Sequence, residues 1–370
     1  MAPADPSSTV PGAPGLHSRP ADAADDPAVL DLAALEDRAL GLLPPAVADY
    51  YAGGAEAEIT LGEATAAWRA WRLRPRVLQG ATAPRLSTSL LGSEVRTPVG
   101  VAPWAYQSLA HPDGERGSAR GAAAVGALMT VSTSASTPLA DVAAVEPHAP
   151  KWFQLYRRHS PAFTDDLARR AGQAGYRALV LTVDLPVLGL RLRDVANRMA
   201  LPADLRPGNS PPADVPEVTA PDWTFDDIGR FVELSGLPVV VKGVLRGDDA
   251  VRCVRAGASA VWVSAHGGRQ ADPVVSSAAA LVEVADAVGA EVEVYADGGI
   301  RSGADVLTAL ALGATAVFVG RPAIWGLATG GADGVSRLLA GLSAQLAHTM
   351  VLCGLSDVRS VPRDTVTRAR

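Results

Sequence analysis

Short runs of β-branched and aliphatic residues recur between residues 98 and 322, and each is followed by an Ala/Leu-rich stretch with apolar positions at helical spacing. This alternation marks parallel strands buried on both faces and joined by crossover helices. The runs are PVGVAP (98–103), LMTVST (128–133), KWFQLY (151–156), ALVLTVD (178–184), PVVVKGV (238–244), AVWVSAHG (260–267), VEVYADGG (292–299) and AVFVGRP (316–322). Eight such units exceed the five or six of an open doubly wound sheet, and they predict a closed (β/α)8 TIM barrel.

Upstream, LDLAALEDRALGLLPPAVADYYAGG predicts two helices split at Pro44 and Pro45, the second ending at Gly53. They open a helical lead-in and barrel cover assigned to residues 29–97, ahead of a barrel assigned to 98–365. Residues 1–28 are rich in Pro, Ala, Ser and Asp and are expected to form a disordered tail, because they bury too little surface to offset ordering entropy. One long Pro-rich interruption, 201–221, follows the fourth strand and is a lid candidate or a linker.

The chain has 370 residues, 48% of them hydrophobic, enough for one large barrel of roughly 250 residues with extensions. Its 33 basic and 39 acidic residues leave a net charge of −6 without a basic cluster, so a nucleic-acid partner is not expected. Two cysteines, Cys253 and Cys353, provide no disulfide framework and suit a reducing cytoplasm. No secretory leader or membrane span of about 18 apolar residues is legible. No metal site is expected.

A barrel assembles its active site at the C-terminal ends of its strands. Polar residues stand at those ends here: Gln154 and Tyr156, Thr182 and Asp184, Lys242, Ser264 and His266, Asp297, and Gly320 with Arg321. VSAHGGRQAD brings an imidazole, His266, within three residues of a guanidinium, Arg269. The first can take a proton near neutral pH, and the second can fork a carboxylate. The plainer alternative is a backbone-satisfied histidine beside a surface ion pair. Gly298, Gly299 and Arg301 on the seventh strand and Gly320 with Arg321 on the eighth occupy the usual barrel phosphate site, implying a phosphorylated ligand or cofactor. Lys242 closes an apolar strand and could stabilise an anionic cofactor. A Schiff-base lysine is the competing reading.

Nine segments occur in the order of one family: DYYAGGAEAEITL, LRPRVL, PVGVAPWAYQSLAHPDGE, WFQLY, LTVDLPVLGLRLRD, VVVKGV, SAHGGRQ, YADGGIRSGADV and VFVGRP. On these, residues 30–355 resemble the FMN-dependent 2-hydroxy-acid oxidase and dehydrogenase family, which includes glycolate oxidase, lactate oxidase and 4-hydroxymandelate oxidase. The resemblance implies substrate contacts from Tyr50, Tyr156, Arg191 and Arg269, with His266 as base and Asp184 behind it. It implies FMN resting on Pro103, Trp104 and Ala105 and held by Ser132, Gln154, Thr182, Lys242 and Ser264. Its phosphate is expected on Asp297, Gly298, Gly299 and Arg301 and on Gly320 with Arg321. Lys242 would offset charge on the reduced flavin.

Four positions depart from the family pattern. Ala265 replaces an amide beside the base, Leu190 replaces the first arginine of a GRR run, Trp104 replaces a smaller residue, and Ser134 stands where an aromatic is common. The function implied is oxidation of an (S)-2-hydroxy acid, with a mandelate-type aromatic substrate favoured, to the 2-keto acid with O2 as acceptor and H2O2 released. A homotetramer or octamer is implied too. The loop after the fourth strand shows no apolar membrane-docking stretch, which favours a soluble oxidase. Two alternatives stay open: a biosynthetic FMN enzyme acting on an amino-acid-derived or peptide substrate, and a catalytically silent ligand-binding barrel.

Overall fold

Eight parallel strands close on themselves: β1 (Val99–Val101), β2 (Met129–Ser132), β3 (Lys151–Leu155), β4 (Leu179–Thr182), β5 (Val239–Val244), β6 (Ala260–Val263), β7 (Glu293–Asp297) and β8 (Ala316–Val319). The last pairs back onto the first, with Val317 opposite Val99. The computed structural model describes residues 30–157, 160–203, 205, 207–210 and 223–369. Segment 1–28 and residues 211–221 of the Pro-rich interruption lie outside them. All eight predicted runs are barrel strands. The runs extend further at their C-terminal ends, because Asp184 and His266 already belong to the turning βα loops.

Side chains alternate across each strand, which sorts them into two cores. Val131, Phe153, Leu181, Val241, Val263, Ala296 and Val319 face the surrounding helices. Trp152, Val180, Val240, Ala260, Trp262, Tyr295, Ala316 and Phe318 fill the barrel interior, where the Trp262 and Phe318 rings lie 4.0 Å apart. The same alternation turns the last inward positions of six strands, Ser132, Gln154, Thr182, Lys242, Ser264 and Asp297, toward the barrel mouth. A hairpin, Thr88–Leu90 with Ser93–Val95, adds Leu90 and Val95 to the interior core. It is held by the Leu91 N–H donating to Glu293 Oε1 (3.0 Å) at the N-terminal end of β7.

Three helices precede the barrel: α1 (Leu32–Leu42), α2 (Pro45–Ala52) and α3 (Ile59–Arg69). The first two match the predicted pair, with Asp31 capping α1 and proline opening α2. Helix α3 begins after Glu58, which is left-handed and offers no side-chain cap. Its cap comes from far along the chain: Asp272 accepts from the N–H groups of Ile59 (3.0 Å) and Thr60 (2.7 Å). The Val274 N–H donates to Thr60 Oγ1 (3.0 Å), pinning α3 to the loop after β6.

A strand Trp71–Leu73 pairs antiparallel with Val366–Arg368, so the end of the barrel assigned at 365 cuts a real contact between lead-in and C-terminus. Among the described residues no helix is long and apolar enough to cross a membrane. The loop after β4, however, carries exposed Val187, Leu188, Leu190, Leu192 and Val195. Leu185, Arg191 and Asp194 of the same segment line the cleft.

Asp272→Ala should lower unfolding stability by about 1 kcal/mol, the usual worth of an N-cap, while the barrel's circular dichroism is retained. Denaturant unfolding of both proteins measures this, and equal midpoints and slopes would refute the capping role.

Candidate active site

The mouth of the barrel opens into a cavity of about 350 Å³ walled by the βα loops and by α2 and α3. At its centre, His266 Nδ1 lies 2.8 Å from Asp184 Oδ1, which fixes a tautomer carrying its proton on Nδ1 and turns Nε2 toward the cleft. The Tyr156 hydroxyl stands 3.4 Å from Nε2. His266 adopts a left-handed backbone (φ 53°), a conformation an L-residue holds at a cost of order 1–3 kcal/mol and one that clusters at functional sites. Burial pushes the Asp184 carboxyl up, but the His266 imidazole and its hydrogen bond, with Lys242 nearby, hold it below the ordinary carboxylate value. Gly243 makes this packing feasible: at φ 105° a Cβ there would stand 2.5 Å from Asp184 Cγ.

Beneath the imidazole lies a buried ionic network. Lys242 Nζ donates to Ser264 Oγ (2.8 Å) and pairs with Asp297 Oδ2 (3.2 Å), while Ser264 Oγ donates to Asp297 Oδ1 (2.7 Å). The His266 N–H also donates to Ser264 Oγ (3.0 Å), so one hydroxyl ties the base to the ion pair. Lys242 is thereby a paired cation. Asp297, grouped by sequence with the phosphate turn, instead directs its carboxylate into the barrel. Gln154 Nε2 and Thr182 Oγ1 are buried beside this network without hydrogen-bond partners among the described residues. Unpaired buried polar atoms are costly, and here they form a polar floor suited to a ligand with hydrogen-bonding groups of its own.

Arginines surround the rest of the cleft. Arg269 Nη1 donates to the carbonyls of Tyr50 (2.6 Å) and Gly53 (2.8 Å), and its guanidinium lies over the Tyr50 ring. Burial, then the neighbouring Arg191, pushes its pKa down to about 10. Arg191 lines the same cleft with Nε buried and unpartnered. Arg321 is anchored to the end of α2, donating to the carbonyls of Tyr51 (3.0 Å), Ala52 (3.2 Å) and Gly53 (2.7 Å) and, from Nη1, to Gly267 (2.9 Å). Arg301 lies over the Trp325 ring, and burial lowers its pKa. The turn Gly298–Arg301 lines the cavity wall, where Trp68 Nε1 donates to the Gly298 carbonyl (2.7 Å). Buried Trp68 thus fixes this turn.

Pro103, Trp104, Ala105, Tyr50, Tyr156 and Ser134 line the cavity, so it gathers residues from both expected sets. Ser132 stands just below, its hydroxyl donating to Gln154 Oε1 (3.1 Å). Of the departures, Leu190 points to solvent and serves through its carbonyl, which accepts from Glu56 N–H (2.7 Å). Ala265 is buried, and its N–H donates to Ser277 Oγ (3.3 Å). Sequence reasoning passed over Gln270, whose Nε2 donates to the carbonyls of Asp184 (3.1 Å) and Val187 (2.9 Å) and holds the loop after β4 in place. Its only signal was adjacency to Arg269.

A polar floor, a carboxylate-backed imidazole and arginines without an ion pair among the described residues suit an enzyme that sets an anionic substrate against a large polar cofactor. The chain belongs to the FMN-dependent dehydrogenase family, which matches residues 39–368, and FMN is its cofactor. Human 2-hydroxyacid oxidase 1 is 41% identical over 351 residues, covering 90% of this chain and 95% of that protein. The L-lactate oxidase of Nostoc sp. is 43% identical over 332 residues, covering 85% and 91%. A mandelate oxidase mutant with the C4a-OH-FMN adduct superposes with a TM-score of 0.84 at 40% identity, covering 89% of this chain and 97% of the other. The protein is thus an oxidoreductase of the FMN-dependent 2-hydroxyacid oxidase family.

Lys242→Met would leave the Asp297 carboxylate buried without its cation and should cost about 3 kcal/mol of stability, part of it restored in the double variant Lys242→Met/Asp297→Leu. A double-mutant cycle read by denaturant unfolding measures the coupling, and strict additivity would exclude the pair as a stabilising unit.

Proposed function

We propose that the protein oxidises an (S)-2-hydroxy acid to the 2-keto acid with dioxygen as electron acceptor, and that its preferred substrate is aromatic, of the mandelate type. The observation that carries the reading is electrostatic. Arg269 and Arg191 share one cleft with His266, the charge of Arg191 opposes that of the buried Arg269, and neither is in an ion pair among the described residues. A carboxylate bound between them relieves that repulsion and sets the substrate's α-carbon beside the imidazole.

FMN, when bound, supplies the two-electron acceptor that oxygen regenerates with release of hydrogen peroxide. Pro103, Trp104 and Ala105 would support it, Ser132, Gln154, Thr182, Lys242 and Ser264 would meet its polar ring atoms, and Gly298, Gly299, Arg301, Gly320 and Arg321 would hold its phosphate. The orphaned Gln154 Nε2 and Thr182 Oγ1 fit such a partner. His266 Nε2 removes a substrate proton, and Asp184 stabilises the imidazolium that results. Tyr50 and Tyr156 border the substrate, with the Tyr156 hydroxyl within reach of its oxygen. Lys242, anchored by Asp297 and Ser264, provides fixed positive charge beneath the site.

The aromatic preference rests on the cleft walls. Tyr106, Leu185, Leu188, Met199 and Leu201 give it an apolar side, and Ser134 leaves room where a ring would otherwise stand. Similarity to a mandelate oxidase supports the aromatic reading.

Anaerobic mixing of the yellow holoprotein with (S)-mandelate should bleach the flavin bands, and air should then yield one peroxide per flavin. The same experiment with 4-hydroxymandelate, lactate and glycolate ranks the substrates, with the aromatic acids expected at least about tenfold ahead in kcat/KM, as one well-filled apolar pocket allows. Bleaching by none of the four would sink the proposal. His266→Asn and Asp184→Asn should each lower kcat on the order of 10²–10⁴-fold while flavin content stays stoichiometric.

A further inference from the structure

Trp104 opens the loop after β1 and makes contacts that a smaller residue could not. The Cζ atoms of Arg269 and Arg321 lie 5.4 and 5.6 Å from the indole centroid. The Tyr51 ring stands at 5.9 Å. Gly320 leaves the space open, since a Cβ there would stand 3.0 Å from Trp104 Cζ3. The two guanidiniums are further tied through one acceptor: Arg269 Nη1 (2.8 Å) and Arg321 Nη2 (2.7 Å) both donate to the carbonyl of Gly53. Both side chains are buried, and the charge of Arg269 opposes that of Arg321. Two buried like charges held this close favour an electron-rich partner, and among aromatic side chains the indole face attracts a cation most strongly.

We propose that Trp104 is a positioning residue for Arg269: its ring is the shared cation–π partner that fixes the substrate-side guanidinium and the cofactor-side guanidinium as one unit. The claim rests on the reading that Arg269 takes the substrate carboxylate, and it deepens that reading by naming what holds Arg269 ready. It also differs from a purely steric role. A ring that only narrows the pocket would affect charged and neutral ligands of one shape alike, whereas a ring that holds a guanidinium affects the anion selectively.

The test titrates holoenzyme with phenylacetate and with phenylacetamide, read by the perturbation of the flavin spectrum. Trp104→Leu should weaken phenylacetate about tenfold or more and leave phenylacetamide within about twofold, while Trp104→Phe, which keeps a π face, should hold phenylacetate within about threefold. Trp104→Met replaces the leucine variant should that one not retain flavin. A second measurement follows from reciprocity: phenylacetate should slow FMN loss from the wild type and not from the leucine or methionine variant. Equal weakening of both ligands, or a phenylalanine variant as weak as leucine, overturns the proposal. Wild-type protein that binds no phenylacetate removes the carboxylate reading and this inference with it, an outcome distinct from unaltered binding in Trp104→Leu, which removes this inference alone.

Discussion

Lys242, Arg269, Arg301 and Arg321 are sequestered at one end of a closed barrel, and the cost of removing their charges from water organises everything around them. Each finds a different answer. Lys242 takes the Asp297 carboxylate and the Ser264 hydroxyl. Arg321 takes the last carbonyls of α2, where the helix dipole is negative and the carbonyls have no partner within the helix. Arg301 lies against Trp325, and Arg269 divides itself between the end of α2 and the rings of Tyr50 and Trp104. Neither Arg269 nor Arg191, which share the cleft, forms an ion pair among the described residues.

This arrangement explains why a barrel enzyme carries a helical lead-in. Helix α2 supplies the carbonyls that make two buried arginines tolerable, and it brings Tyr50 to the cleft on the same turn. Helix α3 lines the cleft with Leu61, Ala64 and Thr65 and contributes Trp68 to the Gly298 turn, and its own start depends on Asp272 in the loop that follows His266 and Arg269. Lead-in and barrel mouth are therefore one structure. Neither could be ordered in its present form without the other, because the charges of one are satisfied by the backbone of the other.

The imidazole is fixed from three directions: by Asp184 through its ring, by Ser264 through its backbone, and by the positive φ that the glycines after it accommodate. Asp184 follows the end of β4 and Ser264 the end of β6, so the geometry of the base is set by the closure of the barrel rather than by any local sequence. Gly243, on the strand between them, is small for the sake of a side chain on its neighbour.

Much of this was legible in the chain. Strand periodicity counted the eight strands, because side-chain alternation and burial on both faces leave a local trace in residues such as Val239–Val241 and Ala260–Val263. Gln154, Thr182, Lys242, Ser264 and His266 could be placed at one end, because strand polarity decides which end of a parallel strand faces the mouth. Pairing was not legible. That Asp297 pairs with Lys242, that Asp272 caps a helix more than two hundred residues earlier, that Gln270 clasps the loop after β4, and that Trp104 lies against two arginines are all contacts between distant segments. Sequence fixes which residues must seek a partner when buried. Only closure of the barrel, by setting which strand ends and helix ends stand within a few ångströms, decides which partner each one finds.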